Sequence, residues 1–235
     1  TINHRTDQIL ADVCLNKGQR AILGKGVMDN TDQCPDYYRD ESTQAAIDGT
    51  SEFLDYVKNH RQNIENKVNV AVTPRFIPSC TDEALNALGD LASKHSSYVQ
   101  THCSESDWEH NYVIERCGKS DTEALMEYGL LTKSTILAHG NFISENDMDL
   151  IKGQGAGIAH CPLSNYFFSD AVFPLRRALE KGLRVGLGTD ISGGPSASVL
   201  DSCRSAITAA RALENGTDPN LERDDRGVSK CRVDF

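Results

Sequence analysis

The chain has 235 residues, of which 39% are hydrophobic and 25% charged, with a formal net charge of −10. That length suits one large α/β domain or two small ones, and no apolar run is long enough for a membrane-spanning helix. The acidic balance, with no local basic patch, argues against a phosphate-tracking groove, so nucleic acid is not an expected partner.

In chain order, short apolar runs rich in β-branched residues predict strands at Arg20–Lys25, Val68–Thr73, Tyr98–His102, Thr135–His139, Gly157–His160 and Arg184–Thr189. Their nearly continuous apolar character is that of parallel strands buried on both faces. Between them, helical stripes predict helices at Thr43–Asn66, Asp82–His95, Ser144–Gly153, Val172–Lys181 and Ser198–Leu213. Ser144 opens its helix with Ser-x-x-Asp, a capping-box pattern, and Gly129 and Gly182 stand where helix C-caps belong. Alternation of strand and helix argues a parallel sheet with helices outside it. Six strands satisfy a doubly wound sheet, whereas a closed barrel needs eight.

Eight cysteines stand at 14, 34, 80, 103, 117, 161, 203 and 231, with no C-x-x-C pair. They are too sparse for a disulfide scaffold and read as buried thiols of a reducing, cytoplasmic setting. The chain opens Thr-Ile-Asn-His, without initiator Met or leader, which reads as a fragment. Residues 214–235 are polar, charge-dense and aperiodic, and read as a frayed tail.

The chemistry-bearing residues follow the strands. Strand ends carry Thr73-Pro-Arg75-Phe76, Gln100-Thr-His102-Cys-Ser-Glu105, Ala138-His139-Gly140, Ala159-His160-Cys-Pro-Leu-Ser-Asn165 and Gly188-Thr189-Asp190. In α/β folds the C-terminal strand ends form the catalytic face. Imidazole and carboxylate groups converging from separate strands are what a catalytic zinc requires, with one position left open for water. Glu105 lies one turn beyond His102 in a polar loop. His160 has a packing role at least as readily as a functional one. His4, His60, His95 and His110 read as solvated surface, and Cys103 and Cys161 as packing residues. No G-x-S-x-G, H-E-x-x-H or Walker A motif occurs, and H-x-E with P-C-x-x-C is absent too.

Together with Gly18-Gln-Arg-Ala21, Gly26-Val-Met-Asp29 and Thr189-Asp-Ile-Ser-Gly-Gly-Pro-Ser196, these segments resemble the guanine deaminase family of the metal-dependent amidohydrolase superfamily. The resemblance implies a (β/α)8 TIM-type barrel over residues 1–213, incomplete in this chain, with the first strand and a small flanking β-sandwich missing. It implies zinc-dependent hydrolysis of guanine, a small-molecule substrate, to xanthine and ammonia, a step of purine catabolism on a cyclic amidine. One zinc ion per active site would be held by His102 and Asp190, with two further histidine ligands upstream of this chain. Glu105, His139 and Asp190 would be the catalytic residues. Arg75 and Phe76 would bind the base by hydrogen bonding and ring packing, with His102, Glu105 and Asp190 also contacting substrate. No membrane partner is implied, and a homodimer is allowed.

The family's His-x-His is absent, so this chain is expected to be an inactive or weakly active fragment. Two alternatives stay open: another amidohydrolase-superfamily aminohydrolase or chlorohydrolase of a heterocycle, and a non-catalytic interaction module derived from such an enzyme.

Overall fold

The computed structural model describes residues 2–217, 220 and 221. Two compact units emerge, Thr1–Thr101 with Glu123–Ile136, and His102–Thr122 with Leu137–Phe235. Among the described residues no helix is long and apolar enough to cross a membrane.

The first unit opens with helix α1 (His4–Asn16), which hydrophobic periodicity does not reveal. Its apolar Ile9, Leu10 and Val13 are exposed, and only Asp7 and Ala11 are buried, so it carries no core-facing stripe to read. The strand expected at Arg20–Lys25 is two short ones, β1 (Ala21–Leu23) and β2 (Gly26–Val27). Both pair in parallel with β3 (Val68–Pro74), Ala21 opposite Val68 and Gly26 opposite Thr73. At the break, the Thr73 hydroxyl donates to the Ala71 carbonyl at 3.0 Å. A Cβ on Gly24 would lie 1.9 Å from Thr73 Oγ1, so the chain passes there only as glycine.

Helix α2 (Thr43–Lys58) starts at Ser42, whose hydroxyl accepts from the Ala45 amide, and buries Ala46, Phe53, Leu54 and Val57. It stops well before the expected Asn66. The buried Asn63 side chain donates to the Val57 and Val68 carbonyls and accepts from the Val68 amide. These three bonds fold the intervening segment into a turn that delivers β3. Helix α3 (Asp82–His95) matches its sequence bounds, capped by Thr81. It leads to β4 (Tyr98–Cys103), which pairs in parallel with β3.

The second unit begins at the end of β4. Helix α4 (Asp107–Cys117) is charge-dense and buries only Glu109 and Val113, which explains why its pattern is silent. Next come α5 (Asp121–Glu127), most of which belongs to the first unit, and β5 (Thr135–His139). Helix α6 (Glu145–Gln154) has both halves of the capping box expected at Ser144, and ends on left-handed Gly155, beyond the expected Gly153. Strand β6 (Gly157–His160) leads into α7 (Pro162–Ser169), a helix not expected from sequence. Helix α8 (Leu175–Lys181) starts later than the expected Val172 because Pro174 stands as its N-cap. Strand β7 (Arg184–Leu187) pairs in parallel with β6, Gly157 opposite Arg184. Its residues are mostly exposed, unlike the doubly buried strand its apolar run suggested.

Helix α9 (Val199–Asn215) is capped by Ser198 and passes through Glu214, which is fully buried and ion-paired to Arg177 at 3.4 Å. Residues 214 and 215, placed in the expected polar tail, belong to this helix, and of the rest of that segment 218–219 and 222–235 lie outside the described residues. In the first unit β1, β2 and β4 all pair with β3, and in the second β6 pairs with β7. The second unit's core is formed by Val113, Leu137, Met148, Ile151, Ile158, Phe173, Ala178 and Ala206.

Candidate functional site

Successive parallel strands bring their C-terminal residues to one edge of a sheet. In the second unit, β4 ends at His102-Cys103, β5 at His139 and β6 at His160. Ser104, His139 and Asp190 all adopt left-handed backbone, with φ of 49°, 72° and 50°. Non-glycine residues rarely hold this conformation, and strain of this kind gathers at functional sites. Gly140 follows with φ 72° and donates its amide to the Cys103 carbonyl at 2.9 Å, tying the end of β5 to that of β4.

His102, Glu105 and His139 converge: one ligand atom from each lies within 4.8 Å of the others. The His102 and His139 rings sit 5.1 Å apart between centroids, and His139 Nε2 is 3.6 Å from Glu105 Oε2. His139 is 1% exposed, and its Nε2 is buried without a hydrogen bond among the described residues. A buried imidazole nitrogen left bare beside a second imidazole and a carboxylate fits a divalent cation such as zinc, which takes histidine nitrogen and carboxylate oxygen.

The loop carrying Glu105 is fixed at both ends of that residue. Its amide donates to Glu109 Oε2 at 2.8 Å, and its carbonyl accepts from Asn141 Nδ2 at 2.8 Å. Beneath it lie two buried carboxyls. Burial, and then the neighbouring Asp121, push the Glu109 carboxyl well above its ordinary range. Burial also pushes Asp121 up to about 6, against the stabilising hydroxyl of Ser104 at 2.8 Å. Neither carboxyl stands out in the sequence, because both sit in charge-dense segments with no hydrophobic period to mark a buried face.

The other expected site residues are placed as follows. Asp190 Oδ2 accepts the Ser164 hydroxyl at 2.6 Å, and its carbonyl accepts the Gly194 amide at 2.6 Å. Asp190 is not one of the three residues that converge. Arg75 and Phe76 belong to the first unit, directly after β3. Arg75 is exposed; its amide donates to the Val27 carbonyl at 3.1 Å, and its carbonyl accepts the Thr101 hydroxyl at 3.4 Å. Phe76 is half-buried. Cys103 and Cys161 are buried thiols; burial raises Cys103 well above its ordinary value and pushes Cys161 up to about 12. His4, His60, His95 and His110 are partly exposed, and His110 stacks on Phe142 at 5.9 Å.

His160 is 1% exposed, packs on Phe173 at 5.0 Å, and has no hydrogen bond on either ring nitrogen among the described residues. Burial, and then nearby His139, lower it to about 4. A depressed histidine contributes stability that is complete above about 6.5 and is lost as the pH falls towards 4, a change on the order of 3 kcal/mol. The raised Asp121 works the other way, stabilising the fold as pH falls through 6. Comparing denaturant stabilities of the metal-free chain and a His160→Phe variant between pH 7 and about 4 cancels the Asp121 contribution. The variant is expected to lose markedly less stability on acidification. Parallel curves would show that His160 is protonated freely in the fold.

Residues 1–225 match the model of the amidohydrolase family. This chain belongs to the amidohydrolase family. Its amidohydrolase relatives include a probable guanine deaminase of Schizosaccharomyces pombe, 37% identical over 91% of this chain and 40% of that protein. The guanine deaminase of Mus musculus is 36% identical over 91% of this chain and 46% of its own length. The crystal structure of a guanine deaminase from C. acetobutylicum with bound guanine superposes with a TM-score of 0.84 at 31% identity, covering 90% of this chain and 49% of that one. The fold is therefore part of the (β/α)8 barrel of that family, and the chain spans less than half the length of these relatives.

Proposed function

We propose that this chain carries part of the active site of a zinc-dependent guanine deaminase, which hydrolyses guanine to xanthine and ammonia. The observation that carries the reading is the convergence of His102, Glu105 and buried, unbonded His139 Nε2 in a chain related to guanine deaminases. His102, with Asp190, would hold the metal. The chemistry a zinc ion supplies when bound is activation of water at neutral pH.

The remaining steps belong to the protein's own groups. His139 Nε2, with a free lone pair, orients the attacking water and accepts its proton. Glu105, 3.6 Å from His139 Nε2, passes to the purine ring the proton that His139 took from water, then takes the second proton of the attacking oxygen and hands it to the departing nitrogen, because an amide anion is too poor a leaving group to depart unaided. Arg75 presents a rigid fork of donors suited to a purine's carbonyl and ring nitrogen, and Phe76 packs against the ring. Residues 1–213 act together as one portion of the barrel.

The test is xanthine and ammonia formation from guanine, with zinc content, for this chain and for the protein lengthened to the size of its relatives. Zinc binding and turnover of guanine by the longer protein, both lost in His102→Ala, are the expected result. A zinc-loaded longer protein inert towards guanine but active on another amino- or chloro-heterocycle would overturn the substrate assignment. No metal binding in either form would overturn the metal assignment.

A further inference from the structure

His139, Asn165 and Asn141 form a run of hydrogen bonds whose direction can be assigned from one end. The Glu105 carbonyl can only accept, so the Asn141 atom 2.8 Å from it is the amide nitrogen Nδ2. Asn141 Oδ1 then accepts from Asn165 Nδ2 at 2.6 Å. That leaves Asn165 Oδ1 to face His139 Nδ1 at 2.8 Å. An amide oxygen cannot donate, so Nδ1 carries the hydrogen and Nε2 of the neutral ring keeps its lone pair.

We propose that Asn165, itself oriented by Asn141, is a positioning residue that locks His139 in the Nδ1–H tautomer and so keeps Nε2 bare towards His102 and Glu105. The inference deepens the proposed reaction and rests on reading that cluster as its centre. Asn165 is 1% exposed and Asn141 8%, so water is not at hand to replace a lost partner. The opposite tautomer would set two lone pairs against each other at 2.8 Å within the core. Losing one buried hydrogen bond in this way disfavours it by about tenfold to a hundredfold in population. The opposite tautomer would also put a hydrogen on Nε2, which could then neither hold a cation nor accept a proton. Asn165 thus acts through His139, and Asn141 acts through Asn165.

The test reads the tautomer directly. The 235-residue chain is labelled with 15N-histidine and kept metal-free, at a pH above the ordinary histidine range. Long-range 1H–15N correlations are then recorded, with His139 assigned from a His139→Gln spectrum. The expected pattern is a protonated Nδ1 and a bare Nε2. Asn165→Asp keeps an acceptor and retains the pattern, whereas Asn165→Leu loses it. Asn141→Leu, a change that does not remove the ring's own partner, frees the Asn165 amide to turn over and also loses the pattern. If a leucine variant does not fold, the alanine variant at that position is read in its place.

A protonated Nε2 in the unaltered chain would overturn the proposal, and so would a pattern unchanged in both Asn165 and Asn141 variants. The readout needs neither metal nor substrate. A protein inert towards guanine but showing this tautomer would therefore overturn the proposed reaction and still support the positioning role of Asn165.

Discussion

Glu105→Gln is expected to lower kcat for guanine by about 10²- to 10⁴-fold in any zinc-loaded form of the protein that turns it over, with a much smaller change in KM. The substitution keeps the size of the side chain and removes only its ability to carry a proton. The fold has little reason to respond. The backbone of residue 105 is held by Glu109 on one side and Asn141 on the other, and neither contact involves the Glu105 side chain. That side chain is 22% exposed and faces His139 Nε2 at 3.6 Å. An acid that must give up its proton to the leaving nitrogen and then recover one needs this mixture of shelter and access. Two readouts separate chemistry from structure. Denaturant stability should match the unaltered protein, and the limb of the pH–rate profile that reports the Glu105 carboxyl should disappear. A variant that keeps its rate would show that the proton comes from elsewhere.

The parts of this site that are legible in sequence are those written locally. A β-branched run followed by His or Asp announces a strand end, and parallel strands bring such ends together whatever lies between them. His102 and His139, 37 positions apart in the chain, could therefore be expected at one edge, and the structure joins them with Glu105. Ser144 and Asp147 could be read because both halves of a capping box lie within one turn.

What stays hidden depends on partners distant in sequence. Asn165 is visible only as part of a family motif; its job follows from Asn141 and His139, 24 and 26 positions earlier. Glu109 and Asp121 are buried on faces of charge-dense helices, where no hydrophobic period marks the inside. Asp190 could be read as a strand-end carboxylate, but its contact with Ser164 on α7 could not. Hydrophobic patterning locates elements, and the polar contacts that tune a site are chosen one by one across them.

The first unit hides a contact of the same kind, with a large expected effect on stability: Lys25→Met is expected to destabilise the chain by about 3–5 kcal/mol. Lys25 lies between β1 and β2 and its side chain is 2% exposed; Asp40, its partner at 2.6 Å, is 7% exposed. The ammonium also donates to the Gly26 carbonyl at 3.1 Å, while Asp40 Oδ2 accepts the Met28 amide at 3.0 Å. Methionine preserves the aliphatic packing of the lysine stem, so what is lost is the charge. Among the described residues, the Asp40 carboxylate is then left buried with its Met28 bond alone. Removing one partner of a buried pair costs far more than the pair is worth, because the survivor is left uncompensated.

Lys25→Met combined with Asp40→Leu should therefore recover most of the loss in denaturant unfolding, short of about 1–3 kcal/mol for the unpaired Met28 amide. A single variant within about 1 kcal/mol of the unaltered chain would show that water reaches the pair, as at a surface ion pair. The contact also reaches the proposed base-binding segment. Val27, two residues beyond Lys25, accepts the Arg75 amide at 3.1 Å, so the strand that Lys25 anchors also holds the backbone of Arg75. If Arg75 binds the purine, the Lys25 variant should raise KM for guanine as well as unfold more readily, and the double variant should restore both together.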